Sequence, residues 1–62
     1  MNSIKAIRKR RHVSAESLAR ELGVTRQTVV NWEAGTTEPP ASAIKKMADF
    51  FGVTTDELLK EG

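Results

Sequence analysis

The stretch Ser14-Ala-Glu-Ser-Leu-Ala-Arg-Glu-Leu-Gly-Val-Thr-Arg-Gln-Thr-Val-Val-Asn-Trp-Glu-Ala-Gly35 divides at Gly23 into two short helical segments, and its reading decides the fold. In the first segment Leu18, Ala19 and Leu22 fall at helical spacing on one face. Gly23 is free to take the left-handed conformation that ends a helix, and Thr25 is placed to cap the next one. In the second segment Val29 and Trp32 face inward, while Arg26, Gln27, Val30, Asn31 and Ala34 recur three or four residues apart on the opposite side. The helix that packs inward therefore presents an arginine and two amides outward, the side chains whose forked hydrogen bonds fit the edges of nucleotide bases.

Two helices joined by a tight turn, the second with such an outer face, form the pattern of a helix-turn-helix that reads the DNA major groove. The charge distribution agrees. The chain of 62 residues has a net charge of +2, yet residues 1–31 hold Lys5, Arg8, Lys9, Arg10, Arg11, Arg20 and Arg26 against Glu16 and Glu21, a local balance of +5. The remainder, with Lys45, Lys46 and Lys60 against Glu33, Glu38, Asp49, Asp56, Glu57 and Glu61, stands at −3, so a polyanion would meet one end of the molecule. Taken alone, the run Arg8-Lys9-Arg10-Arg11 is equally consistent with the solvated end of a helix, where the dipole favours cations.

Around this centre the chain repeats one local device. Val13-Ser14 with Leu18, Val24-Thr25 with Val29, and Val53-Thr54 with Leu58 each place a hydroxyl N-cap between two apolar residues that can staple the helix start. At the third, Glu57 completes a capping box; at the first two, Ser17 and Thr28 occupy that position, which predicts weaker caps. A first helix is expected from about Ser3 to Arg11, burying Ile4 and Ile7, and a fourth from the Pro39-Pro40 pair to Gly52, burying Ile44, Met47, Ala48 and Phe51. Period-two alternation is absent. The expectation is an all-α, compact five-helix domain over 1–62, with Gly35-Thr-Thr-Glu-Pro-Pro40 as its one real loop.

Composition narrows the chemistry. A chain this short buries only about 60% of its unfolded surface, so modest stability is expected. With no Cys there is no disulfide framework or thiolate metal site, and one imidazole, His12, does not make a zinc site; no metal, cofactor or small-molecule ligand is expected. No apolar run approaches the roughly 20 residues of a bilayer span, and the basic amino terminus lacks a signal peptide's apolar segment, so the expected location is the cytoplasm, without a membrane role. An enzyme reading finds no Gly-rich phosphate loop, no paired carboxylates and no nucleophile–base set. Asp56 and Glu57 fit better as first-turn charges favoured by a helix dipole.

The sequence resembles the lambda-repressor-like family of phage repressors, Cro proteins and XRE-type bacterial regulators over nearly its whole length. The matching elements are Ile4-Lys-Ala-Ile-Arg8, Leu18-Ala-Arg-Glu-Leu-Gly-Val-Thr-Arg-Gln-Thr28, Trp32-Glu-Ala-Gly35, Glu38-Pro39, Met47-Ala-Asp-Phe-Phe-Gly-Val53 and Asp56-Glu-Leu-Leu59, in this order. The resemblance implies a domain whose third helix, about residues 26–34, enters the major groove of double-stranded DNA to regulate transcription, most simply as a phage or prokaryotic repressor. It assigns base contacts to Arg26, Gln27, Val30 and Asn31, phosphate contacts to Ser14, Thr25, Thr28 and Trp32, and a structural ion pair to Arg8 and Glu33. Three positions depart from the pattern. His12 stands where many relatives have Gly after the first helix, Ala15 where a Gln often contacts a phosphate, and Val30 is apolar at an outer position that is usually polar and would suit a thymine methyl.

A lone protomer reads few base pairs, so a homodimer on DNA is expected, with the fifth helix and the tail Leu58-Leu-Lys-Glu-Gly62 as candidate contacts. The chain reads as a minimal regulator or as the amino-terminal piece of a longer one. The competing reading is a protein-interaction module on the same fold, antitoxin-like or an adaptor, docking through Val30 and the terminal leucines.

Overall fold

The computed structural model describes residues 2–61; Gly62, at the end of the candidate dimer tail, lies outside them. Five helices form: α1 (Ile4–Arg10), α2 (Ala15–Leu22), α3 (Arg26–Ala34), α4 (Ala41–Phe51) and α5 (Thr55–Leu59), with no strand among the described residues. Each start follows from its sequence. Ser14 and Thr25 accept the backbone N–H three residues on, and Thr54 does so within a full capping box closed by Glu57. At α2 and α3 a second hydroxyl takes the place of the carboxylate: Ser14 Oγ lies 3.0 Å from Ser17 Oγ, and Thr25 Oγ1 2.8 Å from Thr28 Oγ1.

The helix ends share one geometry. The backbone N–H groups of Val13, Val24, Thr36 and Val53 each donate to the carbonyl five residues earlier, around a residue of positive φ. That residue is Gly23, Gly35 or Gly52 at the ends of α2, α3 and α4, but His12, at φ 58, after α1. Since Val13, Val24 and Val53 also pack on the core, three tripeptides (His12-Val-Ser, Gly23-Val-Thr, Gly52-Val-Thr) each close one helix, seal the core beneath the turn and open the next helix.

The core takes Ile4 and Ile7 of α1, Ala15, Leu18, Ala19 and Leu22 of α2, Val29 and Trp32 of α3, Met47, Ala48 and Phe51 of α4, and Leu58 of α5. The burial expected of Ile44 is corrected. It is only partly buried, and Ala43 takes the inward position because the face of α4 that meets the other helices runs through 43, 47, 48 and 51, leaving 44 on its flank. The ends of the chain are tied together: Ser3 donates its N–H to the Leu58 carbonyl at 3.0 Å and its hydroxyl to the Lys60 carbonyl at 2.6 Å.

His12 bears a strain that glycine would not, on the order of 1 kcal/mol for a Cβ in the left-handed region. We expect His12→Gly to raise unfolding stability by up to about 1 kcal/mol, the gain being partly offset by the greater freedom of glycine in the unfolded chain. At Gly23, φ 73 in otherwise open space, alanine should instead cost about 1 kcal/mol. Urea titration of both variants checks the pair of signs.

Candidate nucleic-acid interface

Helix α3 is held to the scaffold by its inner face and its carboxyl-terminal end. Val29 is fully buried, and Trp32 is 5% exposed. Glu33, next along the chain, is 7% exposed and receives the guanidinium of Arg8, itself 9% exposed: Nε donates to Oε2 at 2.7 Å and Nη2 to Oε1 at 3.3 Å. The third guanidinium bond, Nη1 to the Val13 carbonyl at 2.9 Å, reaches the turn between α1 and α2. The Arg8 carbonyl in turn accepts the Val13 N–H at 3.1 Å, so one residue of α1 secures both that turn and α3. Asn2 adds a second tie. Its amide donates to the Trp32 carbonyl at 2.9 Å while its Oδ1 accepts from the N–H of Ile4.

The opposite side of α3 is left to solvent. Arg26 and Gln27 are exposed, Val30 and Asn31 half-buried, and Ala34 exposed. Gln27 Nε2 donates to Asn31 Oδ1 at 3.0 Å, one turn along the helix. At the amino-terminal ends of α2 and α3, Ser14 and Thr25 are exposed and Thr28 is half-buried. The first turn of α3 contains no carboxylate, whereas that of α5 contains Asp56 and Glu57. The positive end of the α3 dipole thus stays uncompensated by its own side chains, which favours an anion there.

The expected residues do not all share this surface. Arg26, Gln27, Val30 and Asn31 lie on one face of α3, with Thr25 and Thr28 at its start and Ser14 at the start of α2. Trp32 belongs to the core, leaving at most the edge of its indole for a phosphate. Ala15 is buried as well and offers no polar group to a phosphate. Two residues escaped sequence reasoning. Lys5 lines a shallow cleft with Val30, Glu33 and Ala34, and its spacing of three from Arg8 on the same helix was the available signal. Asn2 left no periodic signal, because its partner lies 30 residues away.

Comparison with known proteins places this geometry. A helix-turn-helix family model matches residues 4–58. An uncharacterized HTH-type transcriptional regulator of Methanocaldococcus jannaschii, MJ0272, is 37% identical over 57 residues, covering 92% of this chain and 86% of its own. The cryptic phage CTXphi transcriptional repressor RstR of Vibrio cholerae is 32% identical over 97% of this chain but 54% of its own, and the transcriptional activator BcrR of Enterococcus faecalis 36% over 90% and 28%. Apart from the archaeal protein, the chain thus spans about half or less of these relatives. Among solved structures, the P22 c2 repressor in complex with a synthetic operator superposes with TM-score 0.83 at 28% identity, covering 92% of this chain and 86% of that one. A hypothetical transcription factor from Neisseria superposes with TM-score 0.79 at 33% identity, over 92% and 66%.

The Arg8–Glu33 geometry makes a quantitative expectation. Removing Glu33 strands a nearly buried guanidinium, and breaking such a pair from one side costs up to about 3–5 kcal/mol. We expect Arg8→Met and Glu33→Leu each to be strongly destabilising and the double variant to be less destabilised than their sum, by more than about 1 kcal/mol. A denaturant double-mutant cycle measures this coupling, and additive losses would contradict it.

Proposed function

The chain belongs to the Cro/C1-type helix-turn-helix family of transcriptional regulators, and on that premise we propose that it binds double-stranded DNA by laying the outer face of α3 in the major groove. One observation carries the reading. The exposed stripe of Arg26, Gln27, Val30 and Asn31 sits on a helix whose other face is fixed by Val29, Trp32 and Glu33, so base-reading side chains project from a rigid support. Ser14, Thr25 and Thr28 serve as backbone contacts flanking the groove, with Lys5 beside Val30 as a further cation for phosphate. Val30 packs against a thymine methyl.

A single α3 spans too few base pairs for useful specificity. The reading therefore includes a homodimer on DNA, its half-sites about 34–36 Å apart or a multiple of that. Occupying the operator blocks transcription, as in a repressor, and the work is done in the cytoplasm with residues 1–62 acting as one unit. The likeness to the repressor RstR, 32% identical over 97% of this chain, supports repression, while the activator BcrR is 36% identical over 90% of it. No helix of the described residues is long and apolar enough to cross a membrane.

Selection from a random-core duplex library, read for dyad symmetry, tests the proposal. Affinity for random duplex should fall on the order of a hundredfold between about 50 and 200 mM salt, because bound phosphates release counterions. Gln27→Ala should weaken the selected duplex by about 1–3 kcal/mol and leave random duplex nearly unchanged. Equal weakening of both would make Gln27 a backbone contact. A flat salt response would favour a protein partner instead.

A further inference from the structure

The amide pair on α3 has a built-in polarity. Gln27 Nε2 donates to Asn31 Oδ1, so the two branches of each amide are no longer interchangeable. In Gln27 the nitrogen branch lies toward Asn31, and Oε1 therefore lies on the side away from it, with one N–H still free. In Asn31 the oxygen branch lies toward Gln27, and its NH2 group lies away from it. Along the helix the outer face thus offers an acceptor and a donor at Gln27, then donors at Asn31. The two residues are about 6 Å apart along the axis, or one to two base steps of about 3.4 Å.

We propose that Gln27 and Asn31 read DNA as one hydrogen-bonded unit, Gln27 selecting an adenine and Asn31 a guanine one or two steps away on the same half-site. The inference rests on the placement of α3 in the major groove. Adenine presents N7 as acceptor and N6 as donor, which match the free N–H and Oε1 of Gln27. Guanine presents only acceptors, N7 and O6, which match the NH2 of Asn31; Oδ1 spends one of its two lone pairs on Gln27, and selection of adenine in place of guanine at the Asn31 step would overturn this half of the proposal. Asn31 is thus a base contact and also the positioning residue for Gln27. The internal bond matters because a free glutamine side chain has three rotatable bonds before its amide plane, and holding that plane in advance lowers the ordering cost of binding.

Three variants separate the two roles, each carried through duplex selection and then titrated against duplexes altered one base pair at a time. All three changes are on the outer face of α3, away from the core, and circular dichroism verifies that each variant is folded. Asn31→Asp keeps an oxygen for Gln27 but loses the NH2: the adenine should persist, at about five- to 150-fold discrimination, while the guanine is replaced by cytosine, whose N4 donates to a carboxylate. Asn31→Leu removes the positioning oxygen as well, and discrimination at the adenine should fall by about fivefold or more along with loss of the guanine. Gln27→Ala should lose the adenine alone. Loss of the adenine in Asn31→Asp would mean that the pair is reversed, with Asn31 donating, and would overturn the proposal; so would an adenine preference undisturbed in Asn31→Leu. If wild-type protein captures no duplex in a salt-sensitive manner, the groove placement itself fails, an outcome distinct from salt-sensitive binding whose base preferences ignore Asn31.

Discussion

The position of α3 depends on the Arg8 guanidinium. Its two bonds to Glu33, at 2.7 and 3.3 Å, form a planar fork that fixes both the height and the roll of the helix against α1. An apolar contact of the same area would stabilise the domain at least as well, since the desolvation of two charges consumes much of their attraction. It would not set an angle. Burial of the pair therefore makes more sense as a constraint on orientation than as a source of stability, and orientation is what a helix reading base edges needs most. The Asn2 bond to the Trp32 carbonyl acts at the same end of α3 in the same sense.

The same arginine accounts for a local irregularity. His12 occupies a left-handed conformation that Gly23, Gly35 and Gly52 reach without strain. Arg8 binds Val13 twice, once through each backbone partner, and Val13 packs on the core beneath the turn. The turn is thereby over-determined, and a small cost at His12 is absorbed by bonds that also hold α3. Strain of this kind survives only where its surroundings leave the chain no other path.

Much of this was legible in the sequence because turns and caps are local. Gly23-Val24-Thr25 and Gly52-Val53-Thr54 announce a stop and a start within three residues, and the spacing of Leu18, Ala19 and Leu22 assigns the inner face of α2. Where burial depends on the angle at which helices meet, hydropathy misleads: Ile44 outranks Ala43 in transfer free energy, yet Ala43 is the one turned inward. Phe50 and Phe51 are chemically identical neighbours, and only the helical phase buries Phe51 while Phe50 remains 44% exposed. The Asn2 tie was illegible because nothing local marks a contact across 30 residues. On the outer face, the identities of Arg26, Gln27, Val30 and Asn31 were readable, but the bond between Gln27 and Asn31, and the direction it gives each amide, depend on side-chain rotamers that the sequence does not encode locally.

Everything proposed for this protein requires that the outer face of α3 be the surface that meets DNA. Backbone chemical-shift mapping during titration with a selected duplex tests this most directly, because it reports every residue at once and needs no substitution. The largest perturbations should fall on the α2–α3 turn and on Arg26, Gln27, Val30 and Asn31, with smaller ones at Ser14 and Lys5. Perturbations centred instead on Phe50, Leu59 and the α4–α5 surface, with α3 unchanged, would contradict it.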